Sequence, residues 1–115
     1  MNIILKATNF ELTEALQDYA TKKIEALTKY LARFDVDAAQ AHIELGKITQ
    51  HHRKGDIFRA EVNLTVDGKL LRAEEADEDV YIAIDEVHDE LKRQIISLKE
   101  KRIEKSIRRV RPVKE

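Results

Sequence analysis

The 115-residue sequence predicts an α+β fold with the element order β-α-β-β-β-α. Two segments have apolar residues at the 3.6-residue period of an amphipathic helix, and others alternate with the period of two that is typical of strands. Tight-turn sequences separate the later strands. The economical arrangement is a two-layer sandwich in which two helices pack on one face of a four-stranded sheet, since each helix has one apolar stripe.

The first strand is predicted at Asn2–Thr8, with one face better buried than the other. Thr13 is the expected N-cap of the first helix, with Glu14 in its first turn. The apolar stripe of this helix continues to about Phe34. Its members are Leu16, Ala20, Ile24, Leu27, Leu31 and Phe34.

Three further strands follow, at Ala39–Ile48, Phe58–Val66 and Lys69–Glu75. Gly55-Asp56 and Asp67-Gly68 supply the reversals between them, so these strands should form an antiparallel meander. The first strand reaches the second through a helix, which allows the two to pair in parallel with a right-handed crossover.

The second helix is predicted over residues 77–109, with Asp77 as its N-cap and Pro112 as a barrier to extension. Its core stripe comprises Val80, Ile84, Val87, Leu91, Ile95 and Leu98. We expect a single domain over residues 1–109 and a flexible C-terminal tail over residues 110–115.

Charge is distributed unevenly along the chain, although the formal net charge is only −1. Residues 1–91 contain 11 basic and 19 acidic side chains, a net charge of −8, whereas residues 92–115 contain 10 and 3, a net charge of +7. Such asymmetry is typical of proteins that bind nucleic acid. A solvated helix end with a basic tail would produce the same pattern.

Composition excludes several classes of protein. The absence of cysteine excludes disulfides and thiol chemistry, and neither a signal peptide nor a membrane span is evident. We therefore expect a soluble, cytoplasmic protein with no membrane partner.

Catalytic motifs are also missing. His51 and His52 are adjacent in a predicted surface turn, and no histidine spacing indicates a metal site. No nucleophile elbow or glycine-rich phosphate loop occurs. The sequence predicts no enzyme activity, no cofactor, no metal and no small-molecule substrate.

Aromatic residues are scarce, and this bears on how RNA could be bound. A sheet that recognises single-stranded RNA displays aromatic residues for base stacking. The only aromatic residue of the predicted strands, Phe58, shares its face with Ala60, Val62 and Leu64 and should belong to the core. Recognition through phosphates and shape remains.

Basic residues on the two helices are the candidates for such contacts. They could form one field if the helices lie side by side, but snorkelling side chains on two soluble helices would look alike in sequence. Ile96, Ile103 and Ile107 lie outside the core stripe and could instead contact a protein partner. The basic residues are Lys22, Lys23, Lys29, Arg33, Lys92, Arg93, Lys99, Lys101 and Arg102.

Three segments resemble the ribosome hibernation-promoting factors, the family of ribosome-associated inhibitor A and protein Y, in their short form. They are NIILKATNFELTEALQDYATKKIEALTKYL, FRAEVNLTVDGKLLRAEE and DEDVYIAIDEVHDELKRQI followed by LKEK. The last is similar to the family pattern D-x-Y-x-A-I-D, a spacer and K-L-x-R-Q-[LI]. The resemblance covers about residues 1–105. It implies the same strand and helix order, similar to a double-stranded-RNA-binding domain with an extra first strand.

The resemblance implies binding to 16S rRNA in the decoding channel of the small (30S) ribosomal subunit, over the A and P sites. Blocked access of mRNA and tRNA would silence translation in stress or stationary phase. By motif, the rRNA-binding residues would be Lys23, Arg93, Lys99 and Lys101, and charge adds Lys22, Lys29, Lys92 and Arg102. The short form implies that the C-terminal domain by which long members pair two ribosomes is lacking. A general binder of structured or double-stranded RNA and a protein-interaction module are the alternatives.

Overall fold

The computed structural model describes residues 1–49 and 55–110, and within them it confirms the predicted order of elements. Three elements form the first half of the fold: strand β1 (Asn2–Thr8), helix α1 (Glu14–Glu25) and a 3-10 helix (Ala26–Tyr30). The second half consists of β2 (Gln40–Thr49), β3 (Asp56–Val66), β4 (Lys69–Asp77) and helix α2 (Val80–Val110). His51 and His52 lie outside the described residues.

The four strands form one sheet in the order β1-β2-β3-β4. β1 pairs with β2 in parallel, with Leu5 opposite Ile43, and the other two pairings are antiparallel. The β3–β4 turn contains only Asp67 and Gly68, with φ angles of 48° and 74°. Positive φ at both positions is the geometry of the type I′ hairpin, which favours Asp-Gly. The predicted parallel pair and meander are therefore confirmed.

One core lies between the sheet and the two helices, so the predicted two-layer sandwich is confirmed. Alternate residues of β2 and β3 point into it, and the stripes of both helices close it from one side. The strand contribution comes from Ala41, Ile43, Leu45, Ala60, Val62, Leu64, Val66 and Ala73. The helical contribution includes Leu16, Ala20, Ile24, Leu27, Val80, Ala83, Ile84, Val87, Leu91 and Ile95.

The first helical segment differs from the prediction in its second half. Thr13 is the N-cap, as expected, and its hydroxyl accepts a hydrogen bond from the Leu16 amide at 3.2 Å. α1 ends at Glu25 and the chain continues as the 3-10 helix, at whose end the Leu31 amide donates a hydrogen bond to the Thr28 carbonyl oxygen, three residues back. Leu27 is buried in the 3-10 helix just as it would be in an α-helix, so the apolar stripe could not distinguish the two kinds of helix.

The start of α2 corrects the predicted cap. β4 continues to Asp77, which pairs with Phe58, so Asp77 belongs to a strand and cannot be the N-cap. Its carboxylate accepts a hydrogen bond from the Asp79 amide, and the Asp79 carboxylate accepts one from the Tyr81 amide, both at 2.8 Å. Asp79 is therefore the residue that caps α2.

Candidate nucleic-acid interface

The first part of the interface is the contact between α1 and α2. Asp85 of α2 accepts a hydrogen bond from the Tyr19 hydroxyl at 2.5 Å and forms an ion pair with Lys23 at 3.3 Å. The Tyr19 ring also packs edge-on against Tyr81, with centroids 4.8 Å apart. The hydrogen bond to Asp85, with burial, raises the pKa of Tyr19 from 10.0 to about 12. Lys23 is thus held at the junction of the two helices.

Tyr30, at the end of the 3-10 helix, gathers two further predicted residues. The Nζ atoms of Lys29 and Lys92 each lie 5.2 Å from the centroid of its ring. A hydrogen bond from Lys92, together with the nearby charge of Lys29, lowers the pKa of Tyr30 below 10.0. The two lysines come from different elements, and the ring is what brings them together.

Arg102 ties the far part of α2 to the β3–β4 turn. Its guanidinium lies 2.9 Å from the Asp67 carboxylate and 4.4 Å from the centroid of the Phe34 ring. The other Asp67 oxygen accepts a hydrogen bond from the Asp35 amide at 3.0 Å. The Arg102 bond, followed by the Asp35 bond, holds the pKa of Asp67 below its ordinary value. Arg102 therefore has a structural partner in addition to its predicted role.

Lys99 borders a small cavity of about 190 Å³ beside Phe34. Arg33 and Arg102 line the same cavity, with Ile103 and Ser106 on its α2 side. This places Lys99 on the side of α2 that faces the end of the first helical segment, the same side as Lys92. Three cationic side chains thus line the cavity together with the apolar side chains of Phe34 and Ile103.

Arg93 and Lys101 lie on the other side of α2, towards β4. They line a cavity of about 460 Å³ with Leu71 of β4 and Leu98 of α2. The Arg93 Nε donates to the Glu90 carboxylate at 3.1 Å, and the same pair forms an ion pair. This contact holds the pKa of Glu90 below its ordinary value.

The predicted residues of α2 therefore lie on two sides of that helix, and Lys22, Lys23 and Lys29 lie on the first helical segment. The side towards α1 contains Lys92 and Lys99, and Lys22 is exposed in the last turn of α1. The side towards β4 contains Arg93 and Lys101, and Arg102 reaches the β3–β4 turn. Contact of any of these residues with RNA stays a prediction.

Two tyrosines of the site were not identified from the sequence. Tyr19 precedes Lys23 by four residues on α1, a spacing that places both on one face of a helix, so a search for partners of Lys23 could have found it. Tyr30 had no such signal, because its contact with Lys92 spans two elements that are far apart in the chain.

The open face of the sheet, opposite the helices, offers no stacking platform among the described residues. Arg59 and Arg72 form ion pairs there with Glu61 and Glu74. Phe58 instead packs against the core and contacts Phe10 edge-on, with centroids 5.6 Å apart. The expectation that strand aromatics do not stack on bases is consistent with this arrangement.

Two other kinds of site are absent from the part of the chain that the structure describes. No group of three or more histidine, aspartate or glutamate side chains is arranged to hold a metal ion. None of the described helices combines the length and the apolar character needed to cross a membrane.

Comparison with known proteins gives relatives along nearly the whole chain. The ribosome hibernation promoting factor of Azotobacter vinelandii is 32% identical over 105 residues, 91% of this chain and 89% of the relative. The ribosome hibernation promotion factor of a Picosynechococcus strain is 33% identical over 101 residues, 88% of this chain and 50% of the relative. The chain thus spans about half the length of some of these relatives.

Solved structures agree with the fold. The N-terminal domain of Thermus thermophilus protein Y has a TM-score of 0.68 and 33% identity, over 83% of this chain and 96% of that domain. A ribosomal subunit interface protein from Coxiella burnetii has a TM-score of 0.67 at 19% identity, over 87% of this chain and 99% of that one. The latter supports the fold alone. Residues 3–103 match the model of one protein family, and the chain belongs to that family, the sigma 54 modulation protein / S30EA ribosomal protein family.

Proposed function

We propose that this protein is a ribosome hibernation factor that silences translation by occupying the small (30S) ribosomal subunit. It binds 16S rRNA in the decoding channel and blocks the access of mRNA and tRNA in stress or stationary phase. The names of its relatives from Azotobacter and Picosynechococcus support this function. The protein works in the cytoplasm, where ribosomes are, and by occupancy rather than by catalysis.

The observation that carries the proposal is the position of the cations on the paired helices. The proposed rRNA-binding residues Lys22, Lys23, Lys29, Lys92, Arg93, Lys99, Lys101 and Arg102 lie along α1, the 3-10 helix and α2. The open face of the sheet has instead charges that neutralise one another. Cations without an aromatic platform suit the phosphates of a folded RNA, which give affinity with little sequence information.

Charge reversal of the four residues implied by the family motif tests the proposal. We expect the combined variant Lys23→Glu, Arg93→Glu, Lys99→Glu and Lys101→Glu to lose co-sedimentation with 30S subunits, because four phosphate contacts become repulsive. The corresponding Gln variant removes charge without placing Glu beside Asp85 and Glu90, and should lose most of the binding while its circular dichroism and melting remain close to those of the wild type. Lys6→Glu, on the open face of the sheet, is the control and should bind normally. Unchanged co-sedimentation of the Gln and Glu variants would contradict the proposal.

Competition separates this function from general RNA binding. Duplex RNA should compete with 30S subunits only weakly, because a decoding-channel site adds shape to charge. Equal competition by duplexes would favour a general binder of structured RNA. The side chains of Ile96, Ile103 and Ile107 are exposed. If the chain bound a protein partner through them, with an affinity independent of salt, the interaction module would be favoured.

A further inference from the structure

Two lysines from different elements converge on the Tyr30 ring, and neither lies within ion-pair distance of a carboxylate among the described residues. The pKa of Asp89, which is lowered first by its hydrogen bond with His88, is nevertheless lowered also by the charge of Lys92. A tyrosine ring attracts an ammonium group through the negative face of its π system. Here Lys29 and Lys92 both place Nζ 5.2 Å from the same centroid, and two ammonium groups this close to one ring repel each other. An anion between them would relieve that repulsion.

The pKa of the Tyr30 hydroxyl also indicates a positive electrostatic field at this position. This pKa lies below the ordinary 10.0, first because Lys92 bonds the oxygen and also because Lys29 is near. A lowered phenol pKa means that the surroundings favour negative charge at that oxygen. An oxyanion placed beside it would experience the same field.

Three other predicted cations are already neutralised by carboxylates. Lys23 pairs with Asp85, Arg93 with Glu90 and Arg102 with Asp67. Within residues 1–49 and 55–107, by contrast, neither Lys29 nor Lys92 forms an ion pair with a carboxylate. Their contacts are with the neutral Tyr30 side chain, and an ammonium group has three hydrogens, so each lysine can also donate to an external acceptor.

We propose that Lys29, Tyr30 and Lys92 form a binding site for one phosphate group, here called the Tyr30 site. Both ammonium groups and the tyrosine hydroxyl donate hydrogen bonds to its oxygens. The phosphate is a phosphodiester of the RNA backbone, and this assignment rests on the proposed function. Lysine binds phosphate as a point charge without reading bases, so the site positions the RNA strand between the 3-10 helix and α2.

Single substitutions that each remove one positive charge, inside or outside the Tyr30 site, test whether the site itself binds RNA. We expect Lys29→Met and Lys92→Met each to weaken binding to 30S subunits and to an RNA duplex about tenfold at low salt. The double variant Lys29→Met/Lys92→Met should make the negative slope of log affinity against log salt shallower by about 0.7–0.9, the value of one phosphate contact, and each single variant should make it shallower by less. Tyr30→Phe keeps the ring and should weaken binding by about threefold to tenfold, since it loses one donor. Lys6→Met has the same charge change on the open face of the sheet and should have little effect.

Inorganic phosphate tests the site without the ribosome. In protein labelled at the tyrosine Cζ, phosphate should shift the Tyr30 NMR signal saturably, beyond the effect of sodium chloride at equal ionic strength. The shift should vanish in the Lys29→Met/Lys92→Met variant, and the Tyr81 signal is the internal reference. Tyr30→Phe assigns the signal.

The outcomes separate the site from the proposed function. A saturable phosphate response with a selective loss of RNA affinity supports the Tyr30 site. The Tyr30 site is overturned if phosphate causes no response, or if Lys92→Met and Lys6→Met lose equal affinity. In either case, normal binding of the wild type to 30S subunits leaves the proposed function standing. A phosphate response without any loss of RNA affinity would assign the site to free phosphate and overturn the RNA assignment. If the wild type fails to bind 30S subunits, the proposed function fails, and the duplex and phosphate measurements still decide the site.

Discussion

The two halves of α2 have the same secondary structure but opposite surroundings. In the near half, residues 80–91, five side chains are buried, and Asp85 joins the helix to Tyr19 and Lys23 of α1. In the far half, residues 92–107, only Ile95 is buried, and basic side chains surround the helix. One continuous helix thus divides its residues between holding the fold and presenting charge. We expect substitutions in the near half to affect mainly stability, and those in the far half mainly binding.

The largest expected contrast comes from truncating one apolar residue in each half. Leu91 is fully buried, so Leu91→Ala should lower the free energy of unfolding by about 2–5 kcal/mol through lost burial and a cavity. Ile103 is 37% exposed, and Ile103→Ala should change it by less than about 0.5 kcal/mol. Urea unfolding of both variants measures the difference. Equal losses would mean that the far half contributes to the core and would break the division.

A smaller effect is expected at the junction of α1 with the near half. Tyr19→Phe removes the hydroxyl that donates to Asp85 and should cost about 1 kcal/mol at neutral pH. Tyr81→Phe is the matched control, since its ring keeps the contact with Tyr19.

The same junction should respond to alkaline pH. Because the folded state raises the pKa of Tyr19 from 10.0 to about 12, its stabilisation is present below pH 10 and is lost as the pH rises towards 12. Thermal melts across this range should therefore bring the wild type and Tyr19→Phe closer together. A constant difference between them would show that the hydroxyl is not the cause.

The smallest effect is expected where the far half touches the body of the protein. Asp67→Asn weakens the contact with Arg102 but keeps a residue that tolerates positive φ, so its melting temperature at pH 7 should fall slightly. The folded pKa of Asp67 is depressed, so its stabilisation is present above the ordinary carboxylate pKa and is lost as the pH falls through the folded value. The difference between wild type and variant should shrink in acid, as the pH falls below the ordinary carboxylate pKa. A difference independent of pH would assign it to the turn backbone instead.

The sequence predicted the architecture well because its strongest signals are local. The Asp67-Gly68 turn and the alternation in β3 set the meander, and five of the six residues of the predicted α2 stripe are buried, Leu98 being partly buried. The cap of α2 was wrong by two residues, because Asp77, Glu78 and Asp79 are all acidic and only strand pairing shows that Asp77 belongs to β4. The 3-10 helix was not predicted, because its sequence contains neither glycine nor proline to indicate a break in the α-helix.

Charge and motif were enough to name the candidate site residues. They could not show which of these residues lie together in the fold. Lys92 and Arg93 are neighbours in sequence, yet one faces the Tyr30 ring and the other pairs with Glu90 away from it. Successive helical residues differ by about 100° in direction, so a charge count along the chain cannot separate them. The partners that neutralise Lys23 and Arg102 are likewise remote in sequence.

The central claim, that α1 and the far half of α2 bind ribosomal RNA through phosphates, is tested most directly by the salt dependence of binding to purified 30S subunits. We predict a straight, steep fall of log affinity with log salt, with a slope several units below zero because several cations release counterions. The Lys29→Met/Lys92→Met variant should have a shallower slope than Lys6→Met. An affinity that is independent of salt, with equal slopes for these variants, would contradict the account.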